Sequence, residues 1–190
     1  MNLLALLISA MLINNIVLMQ FLGLCSFFGV STKMKSVVGM GLAVIVVIFL
    51  AAVITYPLYH FVLVPLNIRY IDTIAFILVI ASLVQLTELV IKRFSQSLYK
   101  ALGVYLPLIA TNCAVLGVAL TNVANPQSYL EALTFALGSG LGFAFIIITF
   151  TAIRMRLDSQ PVPKALKGMP IALVSAGLMA MAFMGLAGII

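Results

Sequence analysis

Charge is what this sequence has least of. Four acidic and ten basic residues among 190 make charged side chains 7% of the chain, where an ordinary soluble domain has about a quarter. Hydrophobic residues reach 65%. No water-facing shell can be built from that balance, so the chain is expected to be an integral membrane protein with the lipid bilayer as its first partner. Tryptophan is absent, His60 is the one histidine, and Cys25 and Cys113 are the only cysteines. There is no flavin-attachment motif, no nucleotide-binding glycine loop and no CxxC run. The formal net charge of +6 is modest and implies no nucleic acid. The first apolar segment lacks a basic leader and outruns a signal-peptide core, so it is expected to be a span and not a cleaved signal.

What is present is a series of apolar runs. Six spans are expected, roughly Leu3–Leu24, Val37–Tyr59, Ile71–Ile91, Ala101–Leu120, Tyr129–Thr151 and Met169–Ile190. Each is close to the ~20 residues that cross a ~30 Å hydrocarbon core as helix. None has the alternating ten-residue pattern of a membrane barrel strand. The links are short, so residues 1–190 form a single membrane domain.

The few charges orient it. Lys33 and Lys35 follow span one; Lys92, Arg93 and Lys100 follow span three; Arg154, Arg156, Lys164 and Lys167 follow span five. Only Arg69 lies on the opposite side. Basic residues collect in cytoplasmic loops, so both termini are expected outside, in a prokaryotic cytoplasmic membrane. The tyrosines of "YPLYHF" (56–61) suit the outer interface, and His60 among them fits an interface residue better than a metal ligand.

The two cysteines share a frame. "CSFFGV" at 25–30 returns as "CAVLGV" at 113–118, 88 residues later and close to half the chain. A weaker likeness joins "IAFILVIASLVQL" in span three to "IALVSAGLMAMAF" in span six. If the halves (about 1–95 and 96–190) are repeats of three spans each, the odd number inserts the second upside down, an inverted-topology repeat. The uncharged stretches holding the cysteines, Met1–Thr32 and Ala101–Leu130, are too long for one straight crossing. Gly23 and Gly29 flank Cys25, while Pro107, Asn112 and Gly117 surround Cys113. Spans one and four are therefore expected to be interrupted near the midplane, the signature of a central site. Cys25 precedes Lys33 by eight residues and Cys113 follows Lys100 by thirteen. Those are helical depths of roughly 12 and 20 Å, which let the cysteines face each other deep in the membrane.

Two such cysteines have three readings. Each could be a small buried apolar side chain, as free cysteine commonly is. A disulfide is less suited to a membrane interior. Ligation of a soft metal centre is the third, and zinc or an iron–sulfur cluster usually takes four ligands. No acid or histidine nearby completes a set, so the missing thiolates would come from another chain.

The segments "NNIVLMQFLGLCSFFGVS" (14–31), "FILVIASLVQLTELV" (76–90), "LYKALGVYLPLIATNCAVLGVALTN" (98–122) and "SAGLMAMAFMG" (175–185) resemble the A subunit of Rnf-type electron-transport complexes, along essentially the whole chain. The E-type subunit of the sodium-pumping NADH:quinone reductase is similar too. The resemblance implies a subunit of an ion-translocating oxidoreductase that couples electron flow between ferredoxin and NAD to transport of Na⁺ or H⁺. It implies that Cys25 and Cys113 supply half the ligands of a [2Fe-2S] cluster shared with a homologous, oppositely oriented subunit. Other subunits of such a complex would carry flavin and further iron–sulfur centres, and this chain would neither oxidise ferredoxin nor bind NAD itself.

Other polar residues have quieter readings. Asn14, Asn15, Gln20, Thr111 and Asn112 could satisfy backbone groups where helices break, or tune a cluster through hydrogen bonds to sulfur, as could the N–H groups near Gly23 and Gly117. Glu88 is the one acid inside an expected span, which makes it an ion-handling candidate; Lys92 at i+4 could instead pair with it near the interface. Asp72, Glu131 and Asp158 fall at span ends. A stand-alone inverted-repeat secondary transporter with structural cysteines is the competing function. It requires a polar, solute-sized cavity with several intramembrane charges.

Overall fold

A backbone in hydrocarbon has no water to bond, so each apolar run must close its own hydrogen bonds, and a helix does so within one segment. A computed structural model describes residues 3–31, 34–66, 72–94, 112–125, 128–161, 163 and 166–187, and among them every regular element is helical. The first run is α1 (Leu3–Ile8), a π-helical turn (Ser9–Ile13), α2 (Ile16–Met19) and α3 (Leu24–Val30). Then come α4 (Met34–Leu58), a second π-helical turn (Tyr59–Leu63), α5 (Val64–Leu66) and α6 (Asp72–Phe94). The second half contributes α7 (Cys113–Ala124), α8 (Tyr129–Asp158) and α9 (Met169–Ala187). Two apolar helical stretches, Ser36–Phe61 and Tyr129–Asp158, are long enough to cross a membrane, and Leu3–Ile13, Thr73–Leu86, Cys113–Ala124 and Met169–Gly185 are shorter apolar helices.

The centre is the antiparallel pair α4 and α8. Gly41 packs on Ala144 and Gly140 on Ile45, while the Tyr56 and Tyr129 rings lie 5.5 Å apart at one end. The glycines let the backbones approach closely, which is how membrane helices gain contact without a hydrophobic driving force. The opening helix runs parallel to α8, with Gly138 against Leu7 and Gly142 against Met11. It therefore starts at the tyrosine end, and α3 finishes at the opposite end, beside Arg154. Tyr59 meets Phe76 at 6.4 Å, so α6 sets out from the tyrosine end and carries Lys92 and Arg93 in its last turn. Lys33, Arg69, Lys100 and Lys164 lie outside the described residues.

Phe143, Ile146, Ile147 and Phe150 of α8, Val37, Met40, Val44 and Ile48 of α4, and Phe27 and Val30 of α3 form the fully buried core. Leu4, Phe61, Ile74, Leu78, Leu178 and Met181 point outward and are exposed. Apolar on both inside and outside, the bundle matches a lipid surround.

Three boundaries differ from the sequence expectation. The first span is broken twice, at Asn14–Asn15 and at Gln20–Gly23. The second continues beyond Tyr59 to Leu66 through the wider π turn, where the Val64 N–H reaches back to the Tyr59 carbonyl. The fifth runs on past Thr151 to Asp158, where Arg154 finds acceptors on α3, and it begins at a capping box of Ser128 and Glu131. For span four, description begins at Asn112, and Thr111 lies outside the described residues.

Candidate functional site

The breaks are built by asparagine and glycine. Asn15 leaves the helix at φ −68°, ψ 117°, and its one side chain serves both sides of the gap. Nδ2 donates to the Met11 carbonyl at 2.9 Å, and Oδ1 accepts from the Val17 N–H at 3.1 Å. Asn112 caps α7 in nearly the same conformation, φ −72° and ψ 113°, accepting from the Ala114 N–H at 3.0 Å. Both asparagines are buried, at 2% and 3% exposure, where no water can replace a lost bond. Asn112→Ala and Asn15→Ala are each expected to cost about 1–3 kcal/mol, a lost cap plus an orphaned N–H. The check is thermal unfolding of the purified protein against Asn125→Ala, whose bond to the Thr121 carbonyl is exposed; equal shifts would refute the capping role.

At the second break the chain turns sharply. Phe21 has φ 55°, unusual for a residue with a Cβ, and Gly23 has φ 88° as the N-cap of α3. This turn brings the two cysteine frames together. The Gly23 N–H, two residues before Cys25, donates to Cys113 Sγ at 2.9 Å, which makes the two thiols neighbours. Ser26 Oγ donates to the Gly23 carbonyl at 2.9 Å and receives the Asn112 amide at 3.5 Å. Cys25 is in the first turn of α3 and Cys113 is the first residue of α7. The helices leave the pair in opposite directions, α3 towards Arg154 and α7 towards Ala132, which receives Asn122 at 3.3 Å. At 1.5 Å per residue, α3 spans about 10 Å and α7 about 18 Å, together close to a hydrocarbon thickness. The N-terminal, positive end of α7 faces the sulfurs.

Both cysteines are free thiols, Cys25 exposed and Cys113 half-buried. Among the described residues no group of three or more Cys, His, Asp or Glu gathers anywhere. The chain therefore presents two adjacent thiols and a backbone donor on an outward-facing site. That donor set fits half of a four-thiolate centre and leaves the other half to a neighbouring surface.

The other candidates do not join them. Glu88 is on α6, one turn before Lys92, and its side chain lies outside the described residues. His60 is exposed on the second π turn, between the Tyr56 ring at 4.8 Å and the Tyr59 ring at 5.7 Å, as suits an interface. A cavity of about 330 Å³ beside the first break is lined by Ser9, Asn14, Gln20, Thr121 and Asn125 among others, with no charged residue. Sequence reasoning missed Ser26, which links the two frames, and the contact that Arg154 makes beyond its bearing on topology. The hydroxyl one place after Cys25 was a visible signal, whereas Arg154 acts across more than 120 residues.

Comparison with known proteins adds the family. A family description, "Rnf-Nqr subunit, membrane protein", matches residues 3–190. The chain is 55% identical over 188 residues to the A-type component of the Na⁺-translocating ferredoxin:NAD⁺ oxidoreductase complex of Acetobacterium woodii, covering 99% of this chain and 98% of the relative. It is 51% identical to the A-type component of the ion-translocating oxidoreductase complex of Aeromonas salmonicida, covering 98% and 97%, and 50% identical to that of Syntrophotalea carbinolica, covering 100% and 98%.

Proposed function

The chain belongs to the Rnf-Nqr family of membrane subunits, and on that premise we propose that it is the A-type component of an ion-translocating oxidoreductase in a prokaryotic cytoplasmic membrane. In this reading the complex couples electron transfer between ferredoxin and NAD to movement of Na⁺ or H⁺, as the name of the Acetobacterium relative states for that protein with Na⁺ as the ion. Cys25 and Cys113 hold one half of a [2Fe-2S] cluster, and a homologous subunit of opposite orientation holds the other half. Bound there, the cluster supplies reversible one-electron transfer. The observation that carries the proposal is the meeting of the two cysteine frames, 88 residues apart in sequence, at two helix starts joined by the Gly23 N–H bond to Cys113 Sγ.

This chain's residues do the holding. Asn112 fixes the start of α7 and so the direction of Cys113. The Gly23 N–H points at Cys113 Sγ, the type of bond that raises a cluster's reduction potential. Six spans arranged as two inverted repeats interrupted near the midplane remain the preferred topology. The opposite departures of α3 and α7, and the basic residues gathered beyond α3, α6 and α8, support it. The competing transporter reading needs intramembrane charges, and the polar cavity has none among its lining residues.

The test is an EPR spectrum of the reduced complex, purified with its partners, beside Cys25→Ser and Cys113→Ser. Loss of one [2Fe-2S] signal and its iron in both variants supports the half-site; survival of every signal and of the iron in assembled complex refutes it. Glu88 is the ion-handling candidate. Glu88→Gln is expected to leave the cluster signal intact and to lower ion uptake by reconstituted complex, and uptake at the wild-type rate would remove Glu88 from the pathway.

A further inference from the structure

The half-helix carrying Cys25 is short, seven residues from Leu24 to Val30, and something must hold its far end. Arg154 does. Its Nη1 donates to the Phe28 carbonyl at 3.2 Å and to Ser31 Oγ at 2.5 Å, joining the C-terminus of α3 to α8. Phe150, one turn earlier on α8, stacks on Phe27 at 4.2 Å and meets Phe28 edge-on at 5.8 Å, so the tether has an apolar footing. Ser31 is fully buried. A cation at the last carbonyls of a helix is favourably placed. Both acceptors are uncharged, and no carboxylate among the described residues pairs with the guanidinium.

We infer that Arg154 is a positioning residue for the cysteine site, which clamps the Cys25 half-helix and makes the site easier to reduce through its positive charge. The inference rests on the cluster reading above. Phe28 is three residues beyond Cys25, so the guanidinium lies on the order of 10 Å from the thiols along the helix. At an effective dielectric constant near 20, a unit charge at that distance changes a one-electron equilibrium about tenfold. Arginine suits both tasks, because its Nη1 alone reaches both acceptors and the guanidinium stays charged in a poorly hydrated setting.

The test is a redox titration of the purified complex followed by EPR, with Cys25→Ser and Cys113→Ser identifying the signal. Arg154→Gln is expected to lower the reduction equilibrium constant about tenfold, ~59 mV for a one-electron couple. Arg154→Lys keeps the charge and is expected to restore most of that shift. Equal shifts in the two variants, or none in either, overturn the inference. If Arg154→Gln does not assemble, Ser31→Ala carries the test: it removes one acceptor and leaves the charge, so the midpoint should hold while the EPR line shape changes. A wild-type line shape there also overturns it. A wild-type complex whose signals are indifferent to both cysteines sinks the cluster reading itself, a result distinct from unshifted Arg154 variants.

Discussion

Replacing either cysteine with alanine is expected to bring electron transfer through the complex down to background, and replacing both is expected to cost no more than replacing one. Ligands of one centre act as a unit, so their removal is non-additive. Packing predicts the reverse. Cys25 is exposed, so its sulfur contributes little to the core and Cys25→Ala should leave the fold as stable as before. Cys113 is half-buried, and its loss as a packing group would cost about 1 kcal/mol, independent of Cys25. The two accounts therefore separate most widely at Cys25, where one predicts silence and the other complete loss. Ferredoxin-dependent NAD reduction by assembled complex, normalised to the amount of this chain, reads the difference. Activity above half of wild type in Cys25→Ala would leave the cysteines as packing groups. The alanine variants complement the serines, because a serine oxygen can still approach iron whereas a methyl group cannot.

How much of this was legible in the residues varies from feature to feature. The apolar runs were legible as helices, and two of them, Ser36–Phe61 and Tyr129–Asp158, are long and apolar enough to cross a membrane. The interruption of the first span was legible as Asn and Gly inside an uncharged stretch; Asn15 bridges backbone groups there and Asn112 caps the start of α7. Depth counted from Lys33 and Lys100 anticipated that the cysteines could meet, and the hydrogen bond from Gly23 to Cys113 fits the suggestion that nearby backbone donors reach sulfur. The double break in the first span was not legible. It depends on Phe21 adopting φ 55°, which no propensity favours for phenylalanine and which the surrounding packing must impose. The π turns at Ser9–Ile13 and Tyr59–Leu63 were equally silent, because one extra residue per turn leaves composition unchanged. In the sequence Arg154 is a topology marker and nothing more, because its partners, Phe28 and Ser31, are distant along the chain. Pairings at that range are set by the fold and leave no local trace.

The second large effect is expected at Gly142. A Cβ there would lie 2.7 Å from the Met11 carbonyl oxygen and 2.8 Å from Asn15 Nδ2. Those two atoms are hydrogen-bonded to each other at 2.9 Å, in the bond that closes the first break. Gly142→Ala would thus drive a methyl group against the link between the opening helix and the interrupted segment that leads to Cys25. One of the two atoms is backbone, so the crowding cannot be relieved by rotating a side chain. Overpacking costs about 1–3 kcal/mol and the buried hydrogen bond a similar amount, so a loss of about 3–5 kcal/mol is expected. Against a typical total of about 5–15 kcal/mol, that is enough to prevent assembly. Gly138→Ala should behave alike, since its Cβ would meet the Leu7 carbonyl oxygen at 2.8 Å. Gly177 is the control: it lies in α9 with nothing within 4 Å of an added Cβ, so alanine there should be neutral or slightly stabilising through helix propensity. Melting temperatures of the three variants in one detergent decide the matter. If Gly142→Ala melts with Gly177→Ala, the opening helix can move away from α8 at little cost, and the first break is held by something other than this contact. If it falls well below, the geometry that delivers Cys25 to Cys113 depends on the missing side chain at 142 as much as on the asparagine that it accommodates.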